Sequence, residues 1–221
     1  MANKQILAWH FLPEDERLQF GRRTKVKVGQ TLKRDPSKLS MCHYGLHASV
    51  RPLDAIRYAP GSIVCRVQLG GTIIEDDDKC VASRRTVLWM ADASRELRLF
   101  ACWCVRNTPV ADGRVVWDLL TNERSRAAIE VAERYADGLA TNEELGVARN
   151  VAGASAWDAW NAARAAACSA RGAAWAATRA AACAAASAAR AAACSARGAA
   201  LDAAGVAQNA QLEKMLLELE P

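Results

Sequence analysis

Short apolar runs separated by turn residues dominate the first ninety residues, and this pattern predicts strands. Four such runs occur, at residues 5–11, 24–28, 62–69 and 86–90. Gly70 and Gly71 follow the third run and predict a turn, and Pro52 opens a short helical pattern over residues 52–58. We therefore expect an α+β domain with a small mixed sheet over residues 1–90.

The pattern becomes helical after residue 92. Apolar residues recur at helical spacing over residues 93–105, and Asn122 or Thr121 can cap a second helix for which Gly138 is a suitable end. Thr141 and Glu144 have the spacing of a capping box, so a third helix should begin there. Residues 91–221 are accordingly expected to form a helical region.

An alanine-rich repeat occupies about residues 151–210. The sequence AARAAACSARGAA occurs at residues 162–174 and again at 188–200. Alanine has the highest helix propensity, so this stretch is expected to be helical. Because a methyl group buries little area, an alanine face stabilises a helix only when another backbone packs closely against it. We expect tight helix packing within the chain or in a homodimer.

Arginine and tryptophan side chains are predicted to lie together on the opposite side of these helices. This predicted binding face comprises Arg164, Arg171, Arg179, Arg190, Arg197, Trp157 and Trp175. Arginine and tryptophan are enriched at the energetic centres of protein interfaces, and both can also contact nucleic acid. A protein partner is our first expectation, with nucleic-acid binding through the arginine stripe as an alternative.

Composition and motifs limit the cellular compartments and the kinds of reaction that we expect for this protein. The net charge of +5 is mild, and no secretion signal or membrane-spanning run is evident, so we expect a protein of the bacterial host cytoplasm with no membrane contact. The eight cysteines are then expected to be reduced thiols. The nucleotide-binding and zinc-protease motifs GxxxxGK[ST], GxGxxG and HExxH are missing, and we expect neither a metal ion nor a cofactor.

Two segments resemble uncharacterised families. The segment that contains YGLHASVRPLDAIRYAPGSIVCRVQLGG resembles an uncharacterised phage and bacterial domain with a GLHAS-type motif, over about residues 6–87. The segments LRLFACWC and ERSRAAIEVAERYADGLAT resemble an uncharacterised bacterial helical module, and alanine-rich arrays of this kind occur in immunity proteins of toxin systems. These resemblances imply a phage or prophage origin rather than a particular reaction.

A third resemblance concerns catalysis. His10 on the first strand, followed by Gly45, Leu46 and His47 before a helix and a strand, is similar to the order found in ADP-ribosyltransferases. In that family a strand histidine and a later tyrosine bind NAD, and a glutamate orients the ribose. His47 would take the place of the tyrosine. The strand at 86–90 has no glutamate, which leaves Glu75 and Glu96 as the nearby candidates.

The sequence thus favours a non-enzymatic, macromolecule-binding protein of phage or immunity type that contacts a host or toxin protein through the predicted binding face. The alternative is an ADP-ribosyltransferase-like enzyme that uses NAD. No catalytic residue is assigned in the first case.

Overall fold

The computed structural model describes residues 4–18, 24–109, 114–151 and 204–221. Contacts divide the chain into two compact units. One contains Met1–Phe100 together with Ala207–Pro221, and the other contains Ala101–Val206. The division into residues 1–90 and 91–221, and the alanine-rich repeat within the second part, stay predictions because most of that repeat lies outside the described residues.

The first unit is built on a five-stranded antiparallel sheet. Its strands are β1 (Ile6–Leu12), β2 (Thr31–Lys33), β3 (Leu46–Ala48), β4 (Ile63–Glu75) and β5 (Cys80–Asp92). Strands β4 and β5 form a long hairpin; β1 pairs with the outer edge of β4, while β2 and β3 pair with the outer edge of β5. The α+β class is confirmed, but every pairing among the described strands is antiparallel, so the expected mixed sheet is wrong.

The helices follow in chain order. The bounds are α1 (Pro52–Ile56), α2 (Ser94–Asn107), α3 (Val116–Leu119) and α4 (Glu123–Ala136), with further helical residues at 142–151 (α5) and 204–217 (α6), and a short 3₁₀ helix at Pro36–Lys38. Asn122 caps α4 by accepting from the Arg124 N–H, and Thr141 and Glu144 form the predicted capping box. No helix in the described ranges is both long and apolar enough to cross a membrane.

Two strand predictions were wrong in detail. Strand β4 continues through Gly70 and Gly71, where the sequence predicted a turn, because a register shift absorbs the glycines as a bulge. Gly71 has φ +73°, and the Oγ of Ser83 lies 2.3 Å from the position that a Cβ would occupy. Residues 24–28 form no strand; Lys25 makes only an isolated bridge to Arg17.

The two edges of the sheet meet at one point. Trp9 of β1 and Ser49, which directly follows β3, exchange backbone hydrogen bonds of 2.7 and 3.0 Å. Strands β1, β4, β5 and β3 therefore form a curled sheet, and all four contribute residues to the main apolar cluster. The core residues Ala8, Val67 and Ala82 are completely buried.

Helix α6 closes part of the first unit. Leu212 and Leu216 are fully buried, and the Asn209 side chain accepts a hydrogen bond from the Leu53 N–H at 3.2 Å. This bond satisfies a backbone donor in the first turn of α1, which no helical carbonyl can reach.

In the second unit, Arg106 of α2 contacts one side chain of α3 and one of α4. Its guanidinium makes two hydrogen bonds of 2.6 and 2.7 Å to the Glu133 carboxylate. It also lies 4.1 Å from the Trp117 ring, which Arg126 approaches at 5.3 Å. A paired arginine stacked on an indole stabilises this corner of the helical unit.

Candidate functional site

A cavity of about 550 Å³ lies within the first unit. Strand β1 contributes His10, β3 contributes His47 and β5 contributes Arg85 to its wall. The closure of the sheet at Trp9 and Ser49 brings these three strands around one space. Because each residue comes from a hydrogen-bonded strand, the scaffold around the cavity is rigid.

His10 points into the cavity because strand residues alternate between faces. Its neighbours Ala8 and Leu12 belong to the core cluster, so His10 shares their face of β1. Burial, and secondarily the charges of Arg85 and His47, lower the pKa of His10 well below 6.5. The imidazole is therefore neutral at pH 7, and no described residue is found to hydrogen-bond to it.

His47 is fixed by the turn that precedes it. The backbone N–H of Cys42 donates to the Nε2 atom of His47 at 3.1 Å. Burial, followed by the charges of Lys79 and Arg85, lowers the pKa of His47 from 6.5. A half-buried, neutral imidazole with one nitrogen engaged thus forms part of the cavity wall.

The turn at residues 40–45 has little conformational freedom. Ser40 and Tyr44 exchange backbone hydrogen bonds of 2.9 Å, and Cys42 adopts φ +65°. Gly45 has φ +141°, and a Cβ there would lie 2.2 Å from the Val81 side chain and 2.8 Å from that of Leu39. Only glycine fits at position 45, and it permits the turn geometry that aims the Cys42 N–H at His47.

Arg85 is a buried cation with incomplete pairing. Its side chain is 2% exposed, and one Nη donates to the His47 carbonyl oxygen at 2.7 Å. The Nε atom is buried without a hydrogen-bond partner in the described structure. Burial, with a smaller contribution from nearby Arg34, lowers the pKa of Arg85 to about 10, and Cys65 opposes that shift. The guanidinium is still charged at pH 7, and no carboxylate among the described residues pairs with it.

Lys79 and Tyr58 line the cavity, and Tyr58 is half-exposed. The Lys79 ammonium lies 4.6 Å from the Tyr58 ring centroid and 3.3 Å from its hydroxyl. That hydroxyl also contacts Asp78, at 2.6 Å. Hydrogen bonds with Cys42 and Tyr58 raise the pKa of Lys79, so the ammonium group is protonated at pH 7. The Tyr58 ring is thereby held in place at the cavity wall.

The ionisable residues of the cavity wall are basic apart from a thiol and a phenol. The basic residues are Arg34, Lys79, Arg85, His10, His43 and His47. No Asp or Glu is among the residues that line the cavity. The Arg34 guanidinium donates only to the neighbouring Lys33 carbonyl oxygen at 3.0 Å, so its charge is also uncompensated in the described residues. Such a cavity has a positive potential and attracts anions.

The residues that the sequence predicted as sites differ in where the structure places them. The predicted binding face, with all of its arginines and tryptophans between 157 and 197, lies outside the described residues. His10 and His47 do share one cavity. Glu75 pairs with Lys4 and Glu96 with Arg95, and neither glutamate lines that cavity. Within the described part of the chain, no group of three or more His, Cys, Asp or Glu side chains could hold a metal ion.

The sequence interpretation missed Arg85, Lys79 and Arg34. A signal existed for Arg85, because it occupies the same strand face as Val87 of the apolar cluster, where a charge is unusual. The predicted strand began at residue 86 and so excluded it. Lys79 and Arg34 lie in or beside turns, and only the fold brings them to the cavity.

Comparison with protein families gives one match. The model described as "Domain of unknown function (DUF7666)" matches residues 10–98, which include the end of β1 from His10, the cavity wall apart from Trp9, and the β4–β5 hairpin. This part of the chain is therefore similar to an uncharacterised domain, whereas the GLHAS-type motif and the phage origin stay predictions. Neither the curated proteins nor the solved structures yielded a match.

Proposed function

We propose that the cavity binds a small ligand through a phosphate group. The observation that carries this proposal is the Arg85 guanidinium, which is buried, charged and without a carboxylate partner among the described residues. An uncompensated buried charge costs several kcal/mol. A bound anion would supply the missing charge and an acceptor for the unsatisfied Nε atom.

The remaining wall suits the same ligand. Neutral His10 and His47 can each donate one hydrogen bond, and Arg34 and Lys79 add two cationic groups. A phosphate presents several acceptor oxygens and at least one negative charge, so it can use all of these donors at once. The cavity volume of about 550 Å³ is in the range of small-molecule sites.

NAD is a second candidate within this proposal. The ADP-ribosyltransferase resemblance places His10 and His47 at an NAD site, and both line this cavity. Tyr58 adds a positioned aromatic ring against which a planar base could stack. Glu75 and Glu96 are both paired elsewhere, so the geometry favours ligand binding over ADP-ribose transfer.

Isothermal titration calorimetry with pyrophosphate, ADP-ribose and NAD tests the proposal. Arg85→Met should weaken the binding of every phosphate ligand at least tenfold, because charge-assisted hydrogen bonds are lost. Arg84→Met is the matched control, since Arg84 is the adjacent arginine of β5 but does not line the cavity. Equal affinities in the two variants, or no binding to the unchanged protein, would refute the phosphate site.

Two further measurements distinguish NAD from a simple phosphate ligand. Tyr58→Ala should weaken NAD binding by a larger factor than pyrophosphate binding if the base stacks on the ring, because both ligands lose the Tyr58–Lys79 contact and only NAD loses the stack. Labelled NAD incubated with lysate protein detects ADP-ribose transfer. Stacking without transfer would identify a binding protein, whereas label on protein would establish the enzyme.

The earlier proposal of a phage- or immunity-type protein with a macromolecular partner concerns a different part of the chain. Its support is the composition of the predicted binding face. Replacement of Arg164, Arg171, Arg190 and Arg197 together should abolish capture of a host or toxin protein that the unchanged chain retains. If the partner is nucleic acid instead, retention should fall steeply with salt.

A further inference from the structure

We infer that His47 is the specificity-determining donor of the cavity and binds a phosphate oxygen through its Nδ1–H. This inference rests on the proposed phosphate site and adds the atom that recognises the ligand. It depends on which imidazole nitrogen carries the proton.

The hydrogen bond from Cys42 decides the tautomer. A backbone N–H can only donate, so the Nε2 atom of His47, 3.1 Å away, must accept and cannot carry a proton. The imidazole has a lowered pKa and is neutral at pH 7, so its single proton is on Nδ1. His47 therefore presents one N–H donor.

The tautomer is maintained by a rigid element. The Cys42 N–H belongs to the turn that the Ser40–Tyr44 pair closes and that Gly45 permits. Arg85 fixes the other end of the residue by donating to the His47 carbonyl oxygen at 2.7 Å. Both the ring and the backbone of His47 are thus positioned before a ligand arrives, which lowers the entropic cost of binding.

The Nδ1–H has no acceptor among the described residues, although His47 lines the cavity. The charged groups that act on this ring are Lys79 and Arg85, both cationic. A ligand group at this position therefore accepts a hydrogen bond, and the two cations favour a group that is negatively charged. A phosphate oxygen meets both conditions, whereas an ammonium or an amide N–H meets neither.

The tautomer can be read directly in the unliganded full-length protein. Long-range ¹H–¹⁵N spectra of histidine-labelled protein distinguish a protonated from an unprotonated ring nitrogen. We expect the His47 signals of the Nδ1–H form at pH 7, assigned as the histidine signals that remain in both His10→Gln and His43→Gln, since the chain has three histidines. A protonated Nε2 would overturn the inference, whatever the ligand measurements show.

Two substitutions separate the two nitrogens. The amide of His47→Asn places an N–H₂ near the Nδ1 position, and that of His47→Gln places an oxygen near Nε2, where it can accept from Cys42. We expect His47→Gln to weaken pyrophosphate binding about tenfold, the effect of one lost charge-assisted hydrogen bond. His47→Asn should remain within about threefold of the unchanged protein.

The outcomes separate this inference from the proposed function. No binding of pyrophosphate or inorganic phosphate to the unchanged protein overturns both. Binding that depends on Arg85 but is equal in His47→Gln and the unchanged protein overturns the role of His47 alone. Greater loss in His47→Asn than in His47→Gln assigns the ring an acceptor role and also overturns it. If either variant fails to fold, the tautomer spectra decide.

Discussion

The guanidinium of Arg85 donates a hydrogen bond of 2.7 Å to the carbonyl oxygen of His47, which joins β5 to β3 at the cavity wall. The bond satisfies one donor of a cation that is 2% exposed and leaves the Nε atom without a partner among the described residues. Arg85 thus has two opposite effects on the stability of the unliganded protein. The backbone bond stabilises the wall, while the uncompensated charge destabilises the empty cavity.

Removing that charge should have little effect on the folded state. We expect Arg85→Met to change the free energy of unfolding by less than about 1 kcal/mol, because relief of the buried charge offsets the lost hydrogen bond. Urea denaturation of the unliganded protein measures this difference. A loss above about 3 kcal/mol would mean that Arg85 is mainly structural.

Stability should fall in mild acid through His10. The folded protein keeps His10 neutral, whereas the unfolded chain protonates it near pH 6.5. The unfolded state therefore binds more protons below that pH, and unfolding becomes easier as the pH falls, by about 1 kcal/mol per pH unit for each such histidine. His47 has a shift of the same sign.

His10→Gln should remove part of this pH dependence, measured as the change in urea midpoint between pH 7.5 and 5.5. His43→Gln is the control, because His43 is an exposed histidine at the same cavity. If the two variants keep identical pH profiles, His10 is not held neutral by the fold.

Gly45 should tolerate no side chain. Gly45→Ala places a methyl group 2.2 Å from Val81 at φ +141°, so we expect a loss of roughly 3 kcal/mol or more in the free energy of unfolding. Gly29→Ala is the matched control, since Gly29 also has positive φ, +77°, but open space around it. The control should lose only about 1 kcal/mol. Similar losses in both variants would show that the crowding at Gly45 is unimportant.

The sequence predicts most of the regular elements because their signals are local. An apolar, β-prone run identified β1, alternation identified the first half of β4, and capping residues placed the starts of α4 and α5. The short strands β2 and β3 escaped notice, because three residues carry too little periodicity and exist only through pairing with β5.

The site was harder to predict than the fold. His10 and His47 could be proposed from their order in the chain, but their common cavity depends on the Trp9–Ser49 closure, which has no local sequence signal. Arg85 was missed for a related reason. The strand was predicted to begin at residue 86, whereas β5 begins at Cys80.

Two cysteines of the first unit should differ in reactivity. Burial raises the pKa of Cys65 to about 12, and its side chain is fully buried, whereas Cys42 is exposed. Since the thiolate is the nucleophile, iodoacetamide should label Cys42 in the native protein and Cys65 only after unfolding. Peptide mass spectrometry over time measures both rates. Native labelling of Cys65 as fast as Cys42 would contradict its burial.

The capping box of α5 should contribute to the second unit. Glu144 accepts from the Thr141 N–H at 2.7 Å, so Glu144→Ala should destabilise the start of the helix. Glu143→Ala removes a neighbouring carboxylate outside the box and serves as the control. Hydrogen exchange at residues 142–146 measures the difference, and equal protection in the two variants would rule out the box as a stabilising element.

The isolated cation at position 85 also has an evolutionary consequence. If an unfilled cavity gains nothing from that charge, random libraries screened only for soluble expression should accept methionine or leucine there as readily as arginine. Libraries screened for retention on a pyrophosphate resin should return arginine almost every time. The contrast between the two selections would show whether folding or ligand recognition accounts for the residue.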